Sequence, residues 1–280
     1  MRNFLERLSV RLLIGIVAMF CIAAGAVAGD LDAFHGLKGR LDIAGGTAHI
    51  PVMEKAAKHI MDANPRIHIV VAGGGSGIGI RKVGEDLIHI GNTGRAITDE
   101  ERNEFGLISF PFAIDGVVAV VHHSNPVTDL RSGQVQAIFA GKVSNWKEIG
   151  GADRPIHVYN RDEASATREV FREKLLNRGE LSAQFSIVSS NAAMRAAVGS
   201  DVDAIGYLSI GYVDPSVSTI AIDGVAAIQE TAEYGTYKVV RKLYMNTKGK
   251  PSELAQAFID YIHSGAGARI VREAGYIPIK

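Results

Sequence analysis

The stretch LDIAGGTAHIPVMEKAAKHIMDANPRIHIVVAGGGSGIGIRKVGEDLIHIGNTGR, Leu41 to Arg95, repeats one pattern three times. Leu41 to Ala44, Ile67 to Val71 and Leu87 to Ile90 are short apolar runs of strand type. Each enters a glycine-rich loop: Gly45-Gly46-Thr47, then Gly73-Gly74-Gly75-Ser76-Gly77-Ile78-Gly79, then Gly91-Asn92-Thr93-Gly94-Arg95. A helix follows each loop. Pro51 opens the first, which places Val52, Ala56 and Ile60 on one face until Asn64-Pro65 stops it. The second runs to about Glu85, and Thr98-Asp99-Glu100-Glu101 starts the third. Strand, loop and helix in strict alternation mean an α/β fold with largely parallel strands. Such sheets bind ligands beyond the carboxyl ends of their strands, where all three loops lie.

The same grammar continues downstream. Val117 to His122 is a continuous apolar strand, Val135 to Phe139 a helix, and Gly141 to Trp146 a loop. Ile156 to Tyr159 is a strand that runs into Asn160-Arg161-Asp162-Glu163-Ala164-Ser165-Ala166-Thr167, with a helix from there to about Leu176. Ala204 to Tyr207 and Val239 to Met245 read as strands, and Ser252 to Ser264 and Ala266 to Ala274 as helices. Ile220 to Ala232 carries little pattern. No internal repeat and no Pro-rich linker divides the chain, so the expectation is two lobes joined by strands.

The N-terminus reads as a secretory signal peptide over residues 1–28. Arg2, Arg7 and Arg11 precede an uncharged run from Leu12, and Ala26-Val27-Ala28 is a small-x-small cleavage pattern. The alternative is an uncleaved anchor, since the apolar run reaches the lower edge of a membrane span. Phe20 before Cys21 argues against lipid attachment at that cysteine. Cleavage after Ala28 leaves a cysteine-free chain of net charge −2, from a full sequence of 280 residues and net charge zero. A thiol nucleophile, a disulfide and a zinc–thiolate site are thereby excluded. The balanced charge argues against a nucleic-acid partner.

Familiar catalytic signatures fail on inspection. The 73–79 loop lacks the lysine of a phosphate-cradling P-loop, the Gly-x-Gly-x-x-Gly frames end on Ile78 or Ile80, and Gly74-x-Ser76-x-Ile78 is no nucleophile elbow. No His pair has metal-ligand spacing. What remains is a set of hydroxyls and backbone N–H groups at helix starts: Thr47 with Ala48, Ser76, and Ser165-Ala166-Thr167, with Arg161 four residues upstream. Aimed at one point, such donors hold an oxyanion without a metal, and a guanidinium adds a charged fork. Taken singly, each is also an ordinary helix cap.

These residues carry a resemblance. Gly45-Gly46-Thr47-Ala48-x-x-Pro51, Gly73-Gly74-Gly75-Ser76-Gly77, Asp115 to Val120, Gly141 to Gly151 with its Asn145-Trp146-Lys147-Glu148-Ile149-Gly150-Gly151 run, Arg161-x-x-x-Ser165-Ala166-Thr167-Arg168-x-x-Phe171 and Ala204-Ile205-Gly206-Tyr207 resemble the PstS family, over about Leu41 to Lys280. Those proteins are the substrate-binding components of the phosphate ABC importer. The resemblance implies a two-lobe periplasmic-binding-protein fold of type II, each lobe a mixed, mainly parallel sheet flanked by helices. It implies lobe I at 41–118 plus 242–280 and lobe II at 119–241. It also implies a non-catalytic, monomeric periplasmic protein that passes phosphate to a membrane permease and needs no cofactor or metal. Carried over position by position, the phosphate contacts are Thr47, Ala48, Ser76, Arg161, Ser165, Ala166 and Thr167. The family usually has Gly where this chain has Ala166, which requires a negative φ there. The third loop carries Arg95 rather than an acidic residue, so Asp115, at the start of the apolar strand, is the candidate acceptor for the phosphate proton. Glu163 is expected to pair with Arg161. The rival readings are a periplasmic hydrolase or dehydratase on the same scaffold, and a binder of sulfate, molybdate or tungstate.

Overall fold

A trio of parallel strands and one strand of 16 residues organise the molecule. The computed structural model describes residues 29–279, so the expected signal peptide and Cys21 lie outside the described residues. β1 (Gly39–Gly45) is the middle of the trio. It leads through a 3-10 turn (Thr47–His49) into α1 (Ile50–Ala63), whose Val52, Met53, Ala56, Ala57 and Ile60 are buried. β2 (Ile67–Gly74) pairs parallel with β1 and leads to α2 (Ser76–Gly84). β3 (Ile90–Thr93) flanks β1 on the other side, also parallel.

β3 starts three residues later than the sequence pattern suggests. α2 is closed by Asp86 at φ 56° and by a bond from Leu87 N–H back to the Lys82 carbonyl at 2.9 Å. Leu87 is spent on ending the helix and stands 64% exposed. α3 (Asp99–Phe105) carries the capping box that Thr98 and Glu101 promise.

β4 (Leu107–His122) is the long strand, and the sequence announces only its last six residues. Pro111 hides the rest, because a residue without an N–H does not read as a central strand position. The fold accommodates it at a register shift: the neighbouring antiparallel strand of the same sheet pairs Leu243 with Ala113 and Tyr244 with Pro111, leaving Phe112 as the extra residue of a bulge.

Beyond β4 come β5 (Asp129–Leu130) and α4 (Ser132–Phe139), then a 3-10 turn at Trp146–Ile149 capped by Asn145. β6 (His157–Arg161) leads to α5 (Ala166–Lys174), β7 (Ser186–Val188) to α6 (Asn191–Ser200), and then to β8 (Ala204–Ser209). β9 (Val217–Thr219), β10 (Ala221–Ile222) and α7 (Gln229–Glu233) occupy the weakly patterned segment. β11 (Val240–Lys248), α8 (Glu253–His263), α9 (Gly265–Glu273) and β12 (Ile277–Pro278) finish the chain. α6 has no counterpart in the sequence reading; only Asn191, Met194 and Val198 of it are buried, too few to set a period.

The strands join in the order β2-β1-β3-β11-β4-β8-β6-β7. The flanks are parallel, and every antiparallel pairing in this sheet involves β4 or β11. β4 changes partner between Gly116 and Val117: up to Gly116 it pairs with β11, and from Val117 with β8. Two cores follow from that switch. One packs α1, α8 and α9 against Leu41, Ile43, Ile90, Phe112 and Leu243. The other packs Val117 to Val121 with Phe139, Trp146, Phe171, Met194 and Tyr207. Among the described residues no helix is long and apolar enough to cross a membrane.

Candidate functional site

Three strand ends meet at one place. β1 delivers Gly46, Thr47, Ala48 and His49, and the β2–α2 corner delivers Gly75 and Ser76. The β6–α5 corner, from the other core, delivers Arg161, Ser165, Ala166 and Thr167. With Gly94 and Arg241 these residues line a single pocket whose cavity volume is only about 10 Å³. Gly75 sits at φ +91°, and a Cβ there would stand 2.7 Å from the Ala164 carbonyl oxygen, so only glycine lets the two corners close on each other. Ala166 is the first residue of α5 and keeps the negative φ that its methyl requires. The N-termini of α2 and α5 both open at the pocket and bring positive partial charge to it.

Arg161 dominates the electrostatics. It is 2% exposed, yet only its Nη2 has a partner, the Ser189 carbonyl at 3.0 Å. Its Nε and Nη1 are buried with no hydrogen-bond partner, and the nearest carboxylate is Asp162 at 4.0 Å. Burial holds the guanidinium below its ordinary value, and the charge on Arg241 pushes the same way. The strand end that carries it is fixed from behind: the Arg161 N–H donates to Tyr207 Oη at 3.1 Å, and Tyr207 stacks on Phe171 at 4.1 Å.

Arg241, on β11, is held differently. Its Nε and Nη2 each lie 2.8 Å from Asp115 Oδ2, and Nη2 also donates to Thr167 Oγ1 at 2.9 Å. Asp115 faces Arg241 across the β4–β11 ladder, and Ser209 Oγ donates to its Oδ1 at 2.8 Å. Burial pushes the Asp115 carboxyl up, against the pull of Arg241 and Ser209.

Each hydroxyl has a lone pair filled by the protein. Ser76 accepts from Gly94 N–H at 3.0 Å, Thr47 from Asn191 Nδ2 at 3.0 Å and Ser165 from Arg168 N–H at 3.3 Å. Their protons are left to donate into the pocket. His49 lies beneath, between the carbonyls of Gly46 and Tyr244 at 3.1 Å each, and burial and then Arg241 push it down to about 3.

Thr47, Ala48, Ser76, Arg161, Ser165, Ala166 and Thr167, the residues singled out in the sequence, all line this pocket. Asp115 does not. Both its oxygens are turned to Arg241 and Ser209, so it stands behind the pocket as the counter-charge of Arg241 rather than as an acceptor facing an anion. Glu163 is a second correction: its neighbour is Arg168 at 3.4 Å, and its side chain is 93% exposed. Arg241, His49 and Asn191 escape the sequence reading, since their roles arise from cross-strand and inter-core contacts with no local motif; Gly94 lies in the third glycine-rich loop that the sequence shows. Elsewhere, His157, Asp201 and Asp203 lie close enough to share an ion. Asp201 already accepts from His157 and Tyr159, and Asp203 from Arg154.

Donors from two cores converging on a buried, half-partnered guanidinium define a binding protein for a small oxyanion. A family model described as a PBP superfamily domain matches residues 32–266. The phosphate-binding protein PstS of Bacillus subtilis is 34% identical over 244 residues, 86% of this chain and 81% of its own. Among solved structures, a binding protein of Clostridium perfringens with bound phosphate is 35% identical with a TM-score of 0.82, covering 86% of this chain and all of that one. An ABC-type phosphate transport receptor from Vibrio cholerae is 30% identical with a TM-score of 0.68, covering 85% and 99%. The chain belongs to the PBP superfamily and, within it, to the PstS family of α/β binding proteins, which are not enzymes.

Proposed function

We propose that this protein captures inorganic phosphate in the pocket between its two cores and delivers it to a membrane ABC permease. One observation carries the reading: a buried guanidinium with two unspent N–H groups belongs to the lining of a pocket of hydroxyl and amide donors. A buried cation in that state is costly until an anion joins it. Arg161, Ser165, Ala166 and Thr167 bind from one side, and Thr47, Ala48 and Ser76 from the other.

The two cores serve as lobes, at 41–118 plus 242–280 and at 119–241, with β4 and β11 as the crossing strands. The partner switch at Gly116/Val117 supports a boundary within two residues of that. Contacts between the lobes are those of a closed cleft: Asn191 on Thr47, the Tyr212 hydroxyl on the Thr47 carbonyl at 2.7 Å, and Arg95 on Glu169 at 3.1 Å. Opening about the crossing strands would admit and release the ion. The protein acts as a monomer in the periplasm, after cleavage behind Ala28.

Calorimetry of the mature chain, Gly29 to Lys280, against inorganic phosphate tests this. Saturable one-to-one binding is expected, with Arg161→Ala weakening it by about 2 kcal/mol or more. A folded wild-type protein that ignores phosphate would refute the reading.

A further inference from the structure

Asn191 is not among the residues that line the pocket, yet it is wholly buried and both polar atoms of its side chain are bonded. It is the first residue of α6, whose Met194 and Val198 pack in the core that holds Phe171 and Tyr207. Thr47 stands on the opposite side, where Ala48 and Val52 pack in the other core. Asn191 reaches across. Its Nδ2 donates to Thr47 Oγ1 at 3.0 Å, and its backbone N–H meets the same oxygen at 3.4 Å. The amide cannot turn over, because Oδ1 accepts from the Ser209 N–H at 3.1 Å, a bond that only the amide oxygen can make. Its mount is fixed as well. Ser190 caps α6 by accepting from the Ala193 N–H at 3.0 Å, and the Ser189 carbonyl accepts from Arg161 Nη2 at 3.0 Å. One short corner, Ser189 to Asn191, therefore holds a pocket-lining group from each core.

We propose that Asn191 is a positioning residue that ties phosphate contact to lobe closure: its carboxamide turns the Thr47 hydroxyl toward the anion, and does so only when the lobes are shut. The inference rests on the phosphate reading and deepens it. A threonine hydroxyl rotates freely, and it both donates and accepts. In an open cleft Thr47 faces water and its proton takes any direction. Closure brings the N–H donors of Asn191 up behind the oxygen. The proton is then directed away from them, into the pocket that Thr47 lines. The Thr47 contact is thus completed after encounter rather than during it. Its loss shows in how fast phosphate leaves, not in how fast it arrives.

The test is a double-mutant cycle on the mature chain with Asn191→Ala, Thr47→Val and the pair, read by calorimetry and by stopped-flow kinetics with inorganic phosphate. On the wild-type background Asn191→Ala is expected to weaken binding about tenfold. The dissociation rate should carry most of that factor, with association changed by less than about twofold. On the Thr47→Val background no hydroxyl is left to orient, and the same substitution should change affinity by less than about threefold. A merely structural asparagine would cost as much on either background, because the Ser209 N–H is left unpaired in both. An undiminished effect on Thr47→Val overturns the inference, and so does a loss carried by association. Where Asn191→Ala fails to fold, Asn191→Asp replaces it. That variant keeps the volume and the oxygen for Ser209 but draws the Thr47 proton backward, and its repulsion of phosphate is common to both backgrounds. Its effect must shrink on Thr47→Val in the same way; equal losses overturn the inference. A folded wild type that does not bind phosphate refutes the phosphate reading and the inference with it. Wild-type binding with an uncoupled cycle leaves that reading intact and removes only the role of Asn191.

Discussion

Arg161 and Arg241 line the same pocket, both almost wholly buried, and they are spent in opposite ways. Arg241 meets Asp115 through two nitrogens and Thr167 through one of them. Arg161 keeps Nε and Nη1 unpartnered and meets one carbonyl. The first is a cation that the fold has neutralised in order to position it. The second is a cation left open. Burial alone therefore does not mark a ligand-binding arginine; the number of donors left over does. The difference traces to where each sits. Arg241 is the second residue of β11, opposite Asp115 in the antiparallel ladder, while Arg161 ends β6, where the chain turns toward the N-terminus of α5.

The comparison breaks most visibly in stability. Asp115→Asn strips Arg241 of its counter-charge in a dry site and should cost the unliganded protein about 3–5 kcal/mol, read by urea denaturation. Arg161→Ala should leave the unliganded protein as stable as wild type or more so, because it removes a buried charge that no carboxylate hydrogen-bonds. Equal losses in both variants would erase the distinction. At an intermediate scale, Ser76→Ala and Ser165→Ala should each weaken phosphate binding by about 1–3 kcal/mol in calorimetric titration. Ser165→Ala should also lose about 1 kcal/mol of stability, because Ser165 caps α5. Loss of stability with affinity intact would make these residues caps and nothing more.

A pH effect sharpens what the pocket's charge does to its floor. His49 is held neutral, with its folded value lowered to about 3 by burial and by Arg241. The unfolded chain binds a proton near pH 6.5 that the folded protein refuses. Above that pH His49 contributes no slope. As pH falls from about 6.5 toward 3, stability is lost at up to about 1.4 kcal/mol per pH unit. Denaturation midpoints across that range should fall less steeply for His49→Gln than for wild type. Parallel profiles would mean that His49 is already protonated in its place.

Much of this was legible in the chain. The three strand–loop–helix repeats, the Pro51 start of α1 and the Thr98 cap of α3 are local devices, and local devices survive in sequence. So do Ser76 and Ser165, which stand at helix starts whatever the rest of the chain does. The first half of β4 was hidden by Pro111, and β3 was misplaced because the apolar run at Leu87 belongs to the end of α2. Arg241 was invisible for a different reason. Its partners lie at positions 94, 115 and 167, brought together only by the ladder and by the approach of the second core. Asp115 is conspicuous in the sequence, but an acidic residue next to a buried strand does not announce that Arg241 is the charge it meets.

The central claim is that the unspent nitrogens of Arg161 are completed by phosphate. Heteronuclear NMR of the arginine Nε–H groups, with Arg161 assigned by comparison with Arg161→Lys, reads this directly during a titration with inorganic phosphate. The account predicts that the Arg161 Nε–H signal moves downfield and saturates in step with calorimetric binding, while the Arg241 signal, already hydrogen-bonded to Asp115, moves less. Phosphate binding with the Arg161 signal unmoved would contradict it.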